Sequence, residues 1–164
     1  MLSRSAFRDA MARLAAAVNV VTSDGPAGRA GFTASAICSV TDEPPTLLVC
    51  MNRSSRYSQA FKVNRVLCVN VLGPEHRTLS KAFANPDRDL DACFATATWE
   101  ELATGSPALT DAVATFDCRV RSVSDIGTHS VFISEVAAVR SGSLVRGLIY
   151  FNRAYHAVAG SPGV

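Results

Sequence analysis

Residues 112–121, AVATFDCRVR, decide how the rest of the chain is interpreted. Apolar residues occupy every second position from Ala112 to Val120, and polar residues occupy the positions between them from Thr115 onward. This period of two predicts a strand with one covered face and one exposed face. The next residues, SDIGTH at 124–129, predict a turn, and THSVFISEVAAV at 128–139 predicts the returning antiparallel strand.

Further strands are expected on both sides of this pair. They are predicted at 18–22, 31–40, 43–52, 66–72 and, as one final strand, 147–158. SDGPAGRAG at 23–31 predicts the turn between the first two. Strands follow one another without the alternating helices of a parallel sheet. The pattern therefore favours a mainly β fold of about seven strands, a closed or nearly closed, Greek-key-like antiparallel barrel with a few short helices.

Three short helices are expected between these strands. The first carries an apolar stripe at helical spacing, formed by Phe7, Met11, Leu14 and Val18. The second follows NRSS at 52–55, where Ser54 or Ser55 is in position to cap its start. The third starts at Pro74 and places Leu79 and Phe83 on one face.

The size and charge of the chain limit what it can be. Its 164 residues fit one domain, which we assign to residues 1–158, followed by a flexible tail at 159–164. The 16 basic and 14 acidic residues are interspersed and leave a formal charge of +2, so we expect no nucleic-acid partner. No run of about 18 apolar residues occurs, so we expect no membrane span.

Cysteine usage and the first residues indicate the compartment. The five cysteines are an odd number without a CxxC pair, and we expect them to be reduced thiols. The opening residues, MLSRSAFRDAMARLAAAV, are interrupted by Arg8, Asp9 and Arg13 and lack the apolar core of a signal peptide. Together these features predict a cytoplasmic protein.

The usual nucleotide and metal motifs are missing from the sequence. Gly25, Gly28 and Gly31 lie between two predicted strands rather than between a strand and a helix, so they do not form a dinucleotide fingerprint. Neither a P-loop nor a serine hydrolase motif occurs. The three histidines are far apart in sequence and have no carboxylates at ligand spacing, so no metal site is expected.

Small hydroxyl and amide side chains cluster in two segments near predicted strand and helix ends. The members of the two segments are Thr33, Ser35 and Ser39, and Asn52, Ser54 and Ser55. A phosphate needs several converging donors, and a helix start offers free N–H groups. The same residue types are equally common as helix caps and turn formers, so both interpretations stay open.

Five stretches, in their order along the chain, resemble the flavin reductase family of the HpaC and RutF type. They are FRDAMARLAAAVNVVTSDGPAG, GFTASAICSVTDEPPTLLVCMNRSS, FKVNRVLCVNVL, IGTHSVFISEV and GLIYFNRAYH. The resemblance implies a homodimeric, FMN-binding split β-barrel that holds FMN or FAD at the dimer interface. It also implies that NADH reduces this flavin and that a separate flavin-dependent monooxygenase receives it.

The same resemblance implies roles for individual residues toward the flavin. Its ring would be lined by Thr33, Ala34, Ser35 and Ala36, with Ser39 close by. Its ribityl chain and phosphate would be held by Asn52, Arg53, Ser54 and Ser55. Further candidates on the neighbouring helix are Lys81 and Phe83.

For the nicotinamide, the resemblance points to the predicted turn at 124–129. Members of the family commonly carry Gly-Asp-His there, and the matching residues are Gly127, Thr128 and His129, with Thr128 in place of the acid. His129 is the candidate catalytic residue, and Phe151 is a candidate for flanking the nicotinamide. No arginine cluster suited to a 2'-phosphate is evident, which favours NADH over NADPH.

Hydride transfer asks little of the protein, because the nicotinamide and the flavin carry the reaction once they are stacked. We expect backbone amides and hydroxyls to stabilise the charge of the reduced flavin, and His129 to position the carboxamide or the phosphates of NADH. Two alternatives belong to other classes. One is an FMN-binding electron carrier of the same fold, and the other is an assembly module without flavin, whose hydroxyls are only caps.

Overall fold

The structure is a computed structural model that describes residues 1–143 and 146–160. Strands dominate this part of the chain. Their bounds are β1 (Ala16–Ala17), β2 (Asn19–Ser23), β3 (Ala30–Ala34), β4 (Ile37–Asp42), β5 (Pro45–Asn52), β6 (Val66–Val71), β7 (Trp99–Glu101), β8 (Pro107–Leu109), β9 (Ala114–Ile126), β10 (His129–Ser141), β11 (Arg146–Phe151) and β12 (Ala154–Ala159).

Short helices connect the strands. Their bounds are α1 (Arg4–Met11), α2 (Ser58–Asn64), α3 (Arg77–Ala84) and α4 (Leu90–Ala95), and a single 3-10 turn at Pro74–His76 leads into α3. The three predicted helices are present, and α4 is an additional one in the loop that follows α3. Leu79 and Phe83 are both buried on α3, as their spacing predicts.

One antiparallel sheet of seven strands forms the body of the fold. Its order is β3-β2-β6-β9-β10-β5-β4, and β9 and β10 are joined by the predicted turn. The described residues contain no ladder between the two edge strands β3 and β4, so the closed ring of strands that the sequence suggested is not found. The strand predicted at 31–40 is wrong as a single element, because the chain leaves one edge of the sheet after Ala34 and enters the other edge at Ile37, with only Ser35 and Ala36 between the two strands.

The last predicted strand, 147–158, is wrong as a single element. The chain reverses at Asn152 and Arg153, so that β11 and β12 pair with each other and β11 also pairs with β1. Both turn residues have positive φ, 48° and 63°, as a tight two-residue hairpin turn requires. Asparagine tolerates this conformation because its short side chain bonds locally, but arginine gives no such signal in the sequence.

Two apolar clusters lie on opposite faces of the sheet. The first contains Ala34 of edge strand β3 together with Val49 and Met51 of β5, so the sheet curls until distant strands share one core. The second lies beneath α3 and α4 and contains Phe83 and Phe94. Strand β2 is covered on both faces because its neighbours Val20 and Val21 belong to different clusters.

The alternation of apolar and polar residues predicts strand β9 correctly, but the prediction that its polar face is exposed is wrong for part of the strand. Thr115 and Asp117 are fully buried. The Asp117 carboxylate accepts hydrogen bonds from the backbone N–H of Thr104, at 2.7 Å, and from its hydroxyl. The segment that follows β7 covers this half of the strand, and a local pattern carries no information about such a cover.

The ends of the described chain differ in character. Helix α1 buries none of its residues and ends at Met11, so the predicted helical stripe is wrong beyond that residue: Leu14 follows the helix, and Val18 is buried in the second cluster. Phe7, Met11 and Leu14 are exposed. At the other end β12 reaches Ala159, and residues 161–164 of the predicted tail lie outside the described residues. In residues 1–143 and 146–160, no helix combines the length and the apolarity that crossing a membrane requires.

Candidate functional site

The main cleft lies between the β3–β4 connection, the end of β5 and the end of α3. It encloses about 520 Å³. The predicted site residues that line it are Thr33, Ala34, Ser35, Ala36, Asn52, Ser54, Ser55, Phe83 and His129. Residues from both hydroxyl-bearing segments therefore meet in one place, together with the histidine of the β9–β10 turn.

Hydrogen bonds from the backbone and from side chains fix the segment from Thr33 to Ala36, which lines the cleft. The N–H of Cys50 donates to the carbonyl of Ala36 at 3.0 Å, which ties the β3–β4 connection to β5. The buried Asn19 amide donates to the carbonyl of Ala34 at 3.2 Å. Thr33 donates its hydroxyl hydrogen to the carbonyl of Ser80 at 2.6 Å, which leaves its oxygen as an acceptor toward the cleft.

Phe83 forms the apolar wall that comes from α3. It packs edge-to-face against Phe94 at a centroid distance of 5.2 Å. A Cβ at Gly31 would lie only 2.7 Å from the Phe83 ring, so glycine at this position lets α3 approach β3 closely. The sequence pattern presents Gly31 only as a turn residue, and its packing role depends on the tertiary structure.

The segment from Asn52 to Ser55 forms a tight polar turn rather than a helix cap. The Asn52 side-chain oxygen accepts from the N–H of Ser54 at 3.0 Å and from its hydroxyl at 2.9 Å. Helix α2 begins only at Ser58, and its N-cap Tyr57 makes no side-chain cap hydrogen bond. The prediction that Ser54 or Ser55 caps this helix is therefore wrong, because the Asn52 side chain stabilises a separate turn before the helix begins.

His129 starts β10 at the tip of the β9–β10 hairpin. Gly127 in the turn has a φ of +56°, a conformation that glycine adopts without strain. The Thr128 hydroxyl lies 2.9 Å from Nδ1 of His129. Thr128 thus contacts the imidazole directly. The hairpin tip is joined to β5 by the Arg53 N–H, which donates to the Thr128 carbonyl at 2.9 Å.

The carboxylate of Asp125, on β9, stabilises this hairpin tip. Asp125 accepts from the Ser130 hydroxyl at 2.6 Å and from Nζ of Lys62 at 3.0 Å, and Nε of Arg53 lies 3.6 Å away. The hydrogen bonds from Ser130 and Lys62 hold the pKa of Asp125 below its ordinary value, with a further contribution from the Arg53 charge. Asp125 therefore connects β9 and β10 to α2 and to Arg53.

A second cleft of about 490 Å³ adjoins the first. Some of its lining residues also line the main cleft. The residues that line the second cleft are Arg4, Asn52, Arg53, Ser54, Gly127, Thr128 and His129. His129 and Asn52 line both clefts. Arg53, predicted for the flavin, and Gly127, predicted for the nicotinamide, lie in this second cleft and not in the main one.

Three predicted residues lie outside both clefts. Ser39, on β4, lines a separate groove that also contains Ile37 and Leu47. Lys81 is exposed on α3 and lines none of these spaces. Phe151, at the end of β11, packs against His156 at a centroid distance of 6.0 Å. Within the described part of one chain, these three residues do not lie beside the other predicted site residues.

Sequence reasoning missed several residues of the main cleft. They are Phe32, Cys50, Met51, Arg56, Ala84, Pro86 and Arg88. Arg56 directly follows the NRSS segment, and its position in sequence was an available signal. Arg88 is 8% exposed, although it comes from a stretch that reads as a polar loop. Nothing local distinguishes it, because its burial depends on how the loop between α3 and α4 folds back onto β3.

The described residues contain no group of three or more histidine, cysteine or acidic side chains that could hold a metal ion. All five cysteines, which lie within the described ranges, are free thiols. Cys50 is half-buried beside the main cleft, and its pKa is raised first by burial and then by Cys38. Burial also raises the pKa of Cys118, to about 12.

Comparisons with known proteins identify the family of the chain. A family model described as "Flavin reductase like domain" matches residues 11–159. A relative from Variovorax paradoxus (strain S110), named FMN reductase (NADH) RutF, is 54% identical over 162 residues, which cover 99% of this chain and 89% of the relative.

Two solved structures extend the comparison. The NADH:FAD oxidoreductase SgcE6 of Streptomyces globisporus C-1027, in complex with NAD and FAD fragments, is 25% identical with a TM-score of 0.87, over 96% of this chain and 93% of that chain. The styrene monooxygenase flavin reductase of Pseudomonas putida S12 is 26% identical with a TM-score of 0.84, over 95% and 99% of the two chains.

Proposed function

We propose, from the premise that this chain belongs to the flavin reductase like domain family, that it is an NADH-dependent FMN reductase. Its reduced flavin would pass to a separate monooxygenase component. The observation that carries the proposal is the main cleft, where a backbone segment, hydroxyl groups, guanidinium groups and apolar walls meet. The name of the Variovorax relative and the bound fragments in the Streptomyces structure support the same assignment.

The chemistry of the cleft fits each part of a flavin mononucleotide. Phe32, which is half-buried, offers apolar surface to an isoalloxazine ring, and the fully buried Met51 and Phe83 support the wall of the cleft. The backbone of residues 33–36 offers polar groups to the edge of the ring, and residues 52–55 offer hydroxyl and amide groups to the ribityl chain and phosphate. A cleft of about 520 Å³ has the size of an ordinary cofactor site.

The reaction itself is hydride transfer, which the flavin and the nicotinamide supply once they are stacked about 3–3.5 Å apart. The chain's residues bind and orient. Backbone N–H groups of residues 33–36 would stabilise the negative charge that develops on the reduced ring. His129 lines both clefts, so we assign it to the nicotinamide carboxamide or the phosphates of NADH. The second cleft, with Arg4 and Arg53, has room and charge for the rest of the dinucleotide.

We further propose that two copies form a split-barrel homodimer with the flavin at their interface. The exposed apolar stripe of α1 and the curled but open sheet support this arrangement. In such a dimer, Ser39, Lys81 and Phe151 of one copy would be able to contact the flavin site of the other copy. Within one chain they do not reach that site. We also propose that residues 1–158 form one domain, that the protein is cytoplasmic, and that it uses NADH rather than NADPH.

Rapid mixing under anaerobic conditions tests the proposal. NADH added to the FMN-loaded protein should bleach the flavin absorbance within seconds. This reduction should proceed without any substrate of the monooxygenase. Bound FMN that stays oxidised on this timescale would identify an electron carrier of the same fold. A colourless protein that leaves the fluorescence of added FMN unchanged would identify an assembly module. Either result would overturn the proposed reductase.

A further inference from the structure

Two arginines share one tyrosine at the wall of the main cleft. The guanidinium carbon of Arg88 lies 4.7 Å from the centre of the Tyr57 ring, and that of Arg56 lies 5.0 Å from it. Arg56 also donates to the backbone carbonyl of Arg88. Both arginines line the cleft, as do Ser54 and Ser55. Two positive charges are therefore held close together, and cation–π contacts fix their orientation.

Arg88 is held away from solvent. It is 8% exposed and donates to the carbonyls of Gly31, at 2.6 Å, and Asn85, at 2.7 Å. Its Nε is buried and has no hydrogen-bond partner among the described residues. Burial lowers the pKa of Arg88, and the charge of Arg56 adds to the effect. Burying the positive charge of Arg88 costs free energy unless a negative charge lies close to it.

No carboxylate meets it within residues 1–143 and 146–160. Neither Arg56 nor Arg88 lies within ion-pair distance of an acidic side chain there. Arg29 shows the contrast, because its guanidinium lies over the Phe94 ring at 4.9 Å and is also paired with Asp24 at 3.4 Å. The arginine pair in the cleft lacks the anion that the arginine outside it has.

We propose that Arg56 and Arg88 bind the terminal phosphate of FMN and so make the chain selective for a flavin that carries a phosphate monoester. The inference rests on the proposed flavin reductase function. A monoester carries a charge of about −1.5 to −2 near neutral pH and offers three acceptor oxygens, which suits two guanidinium groups and the hydroxyls of Ser54 and Ser55. Riboflavin has no phosphate, and each phosphate of FAD carries only one charge. The expected order of affinity is FMN, then FAD, then riboflavin.

The inference is tested by titrating flavin fluorescence with the wild type and with three variants. Wild type should bind FMN at least about tenfold more tightly than riboflavin. Arg56→Met and Arg88→Met should each weaken FMN binding about tenfold and leave riboflavin within about twofold. Arg29→Met removes an equally charged, ring-stacked arginine outside the cleft and should change neither affinity. Inorganic phosphate should compete with FMN and not with riboflavin.

The pH dependence gives a second readout that a merely structural arginine would not change. FMN affinity should rise as pH increases through about 6, where the monoester takes on its second charge, and riboflavin affinity should stay level. Arg56 is exposed and its variant is expected to fold even if Arg88→Met does not. Equal wild-type affinity for FMN and riboflavin would overturn the inference, as would variants that weaken both flavins alike.

The outcome is separable from that of the proposed function. NADH oxidation with riboflavin as acceptor should persist in all three variants, because riboflavin needs no phosphate site. If riboflavin is reduced but FMN has no advantage in wild type, the arginine inference fails and the reductase stands. If no flavin supports NADH oxidation, the proposed function fails. A rise in the KM for NADH without a change in FMN affinity would assign the pair to the dinucleotide and overturn the inference.

Discussion

Asn52 and His129 lie opposite each other in the ladder that joins β5 to β10. Directly opposed residues in an antiparallel pair have Cβ atoms about 4.5–5.5 Å apart. The segment assigned to the flavin phosphate and the residue assigned to the nicotinamide are therefore neighbours, although they are far apart in sequence. A dinucleotide that contacts His129 would reach the flavin without a large rearrangement of the chain.

Replacing His129 with alanine should raise the KM for NADH about threefold to tenfold, the effect of losing one or two ordinary hydrogen bonds. FMN affinity should stay within a few fold, because the proposed flavin contacts lie on residues 33–36, 52–56 and Arg88. Steady-state NADH oxidation together with FMN titration measures both. Thr128→Ala, which removes the hydroxyl beside Nδ1, should have a smaller effect in the same direction. A collapse of FMN binding with normal NADH kinetics would show that His129 belongs to the flavin.

Asp125 should make the hairpin tip sensitive to acid. Its pKa in the folded protein lies below its ordinary value of 3.8, so its stabilising contribution is present above that value and is lost as the pH falls through the lower one. Asp125→Asn should therefore unfold at a lower temperature than wild type near neutral pH, and the gap should narrow as the pH falls through the lowered pKa of Asp125. Thermal unfolding across this range measures it. Asp42→Asn, at the exposed end of β4, serves as the control and should show little gap at any pH.

Cys50 should report whether flavin occupies the main cleft. Its raised pKa lowers the fraction of reactive thiolate, so alkylation should be slow near pH 8 and should accelerate with rising pH. Saturating FMN should slow it further, because Cys50 lines the cleft. The exposed Cys38 should react with and without FMN, and the buried Cys68 and Cys118 should react only after unfolding. Peptide mapping by mass spectrometry separates the sites. Equal labelling of Cys50 with and without FMN would place the flavin elsewhere.

The exposed apolar residues of α1 and of the segment just after it should hold two copies together. Burying a leucine or phenylalanine side chain is worth about 1.5–3 kcal/mol, and Phe7 and Leu14 are 54% and 64% exposed in one chain. Phe7→Glu and Leu14→Glu should shift sedimentation from dimer toward monomer. Val63→Glu, at a comparably exposed valine on α2, is the matched control and should leave the dimer intact. A wild-type chain that sediments as a monomer would contradict the proposed homodimer.

Local pattern was sufficient where the physical cause is local. The strands on either side of Gly127 follow from a period of two, which records the pleat of the backbone itself. The face of α3 that carries Leu79 and Phe83 follows in the same way from helical spacing. The candidate residues of both hydroxyl segments were also identifiable, because the family motif is contiguous in the sequence.

The reversal at Asn152 and Arg153 and the turn at Asn52 were not predictable with the same ease. Each depends on which of two competing hydrogen-bond arrangements the surrounding strands favour, and a short pattern fits both. Ser54 and Ser55 are good helix caps by residue type, but the Asn52 side chain bonds to Ser54 first.

The sequence alone determined that this chain is a mainly β flavin reductase homologue, and it determined most of the residues that line the main cleft. Only the tertiary structure decided that Asp117 is buried, that Ser39 and Phe151 lie away from the cleft, and that Arg88 lies in its wall. The physical reason is that burial and charge pairing are set by whichever distant segment covers a residue. For Arg88 that segment is β3, whose Gly31 carbonyl accepts its hydrogen bond.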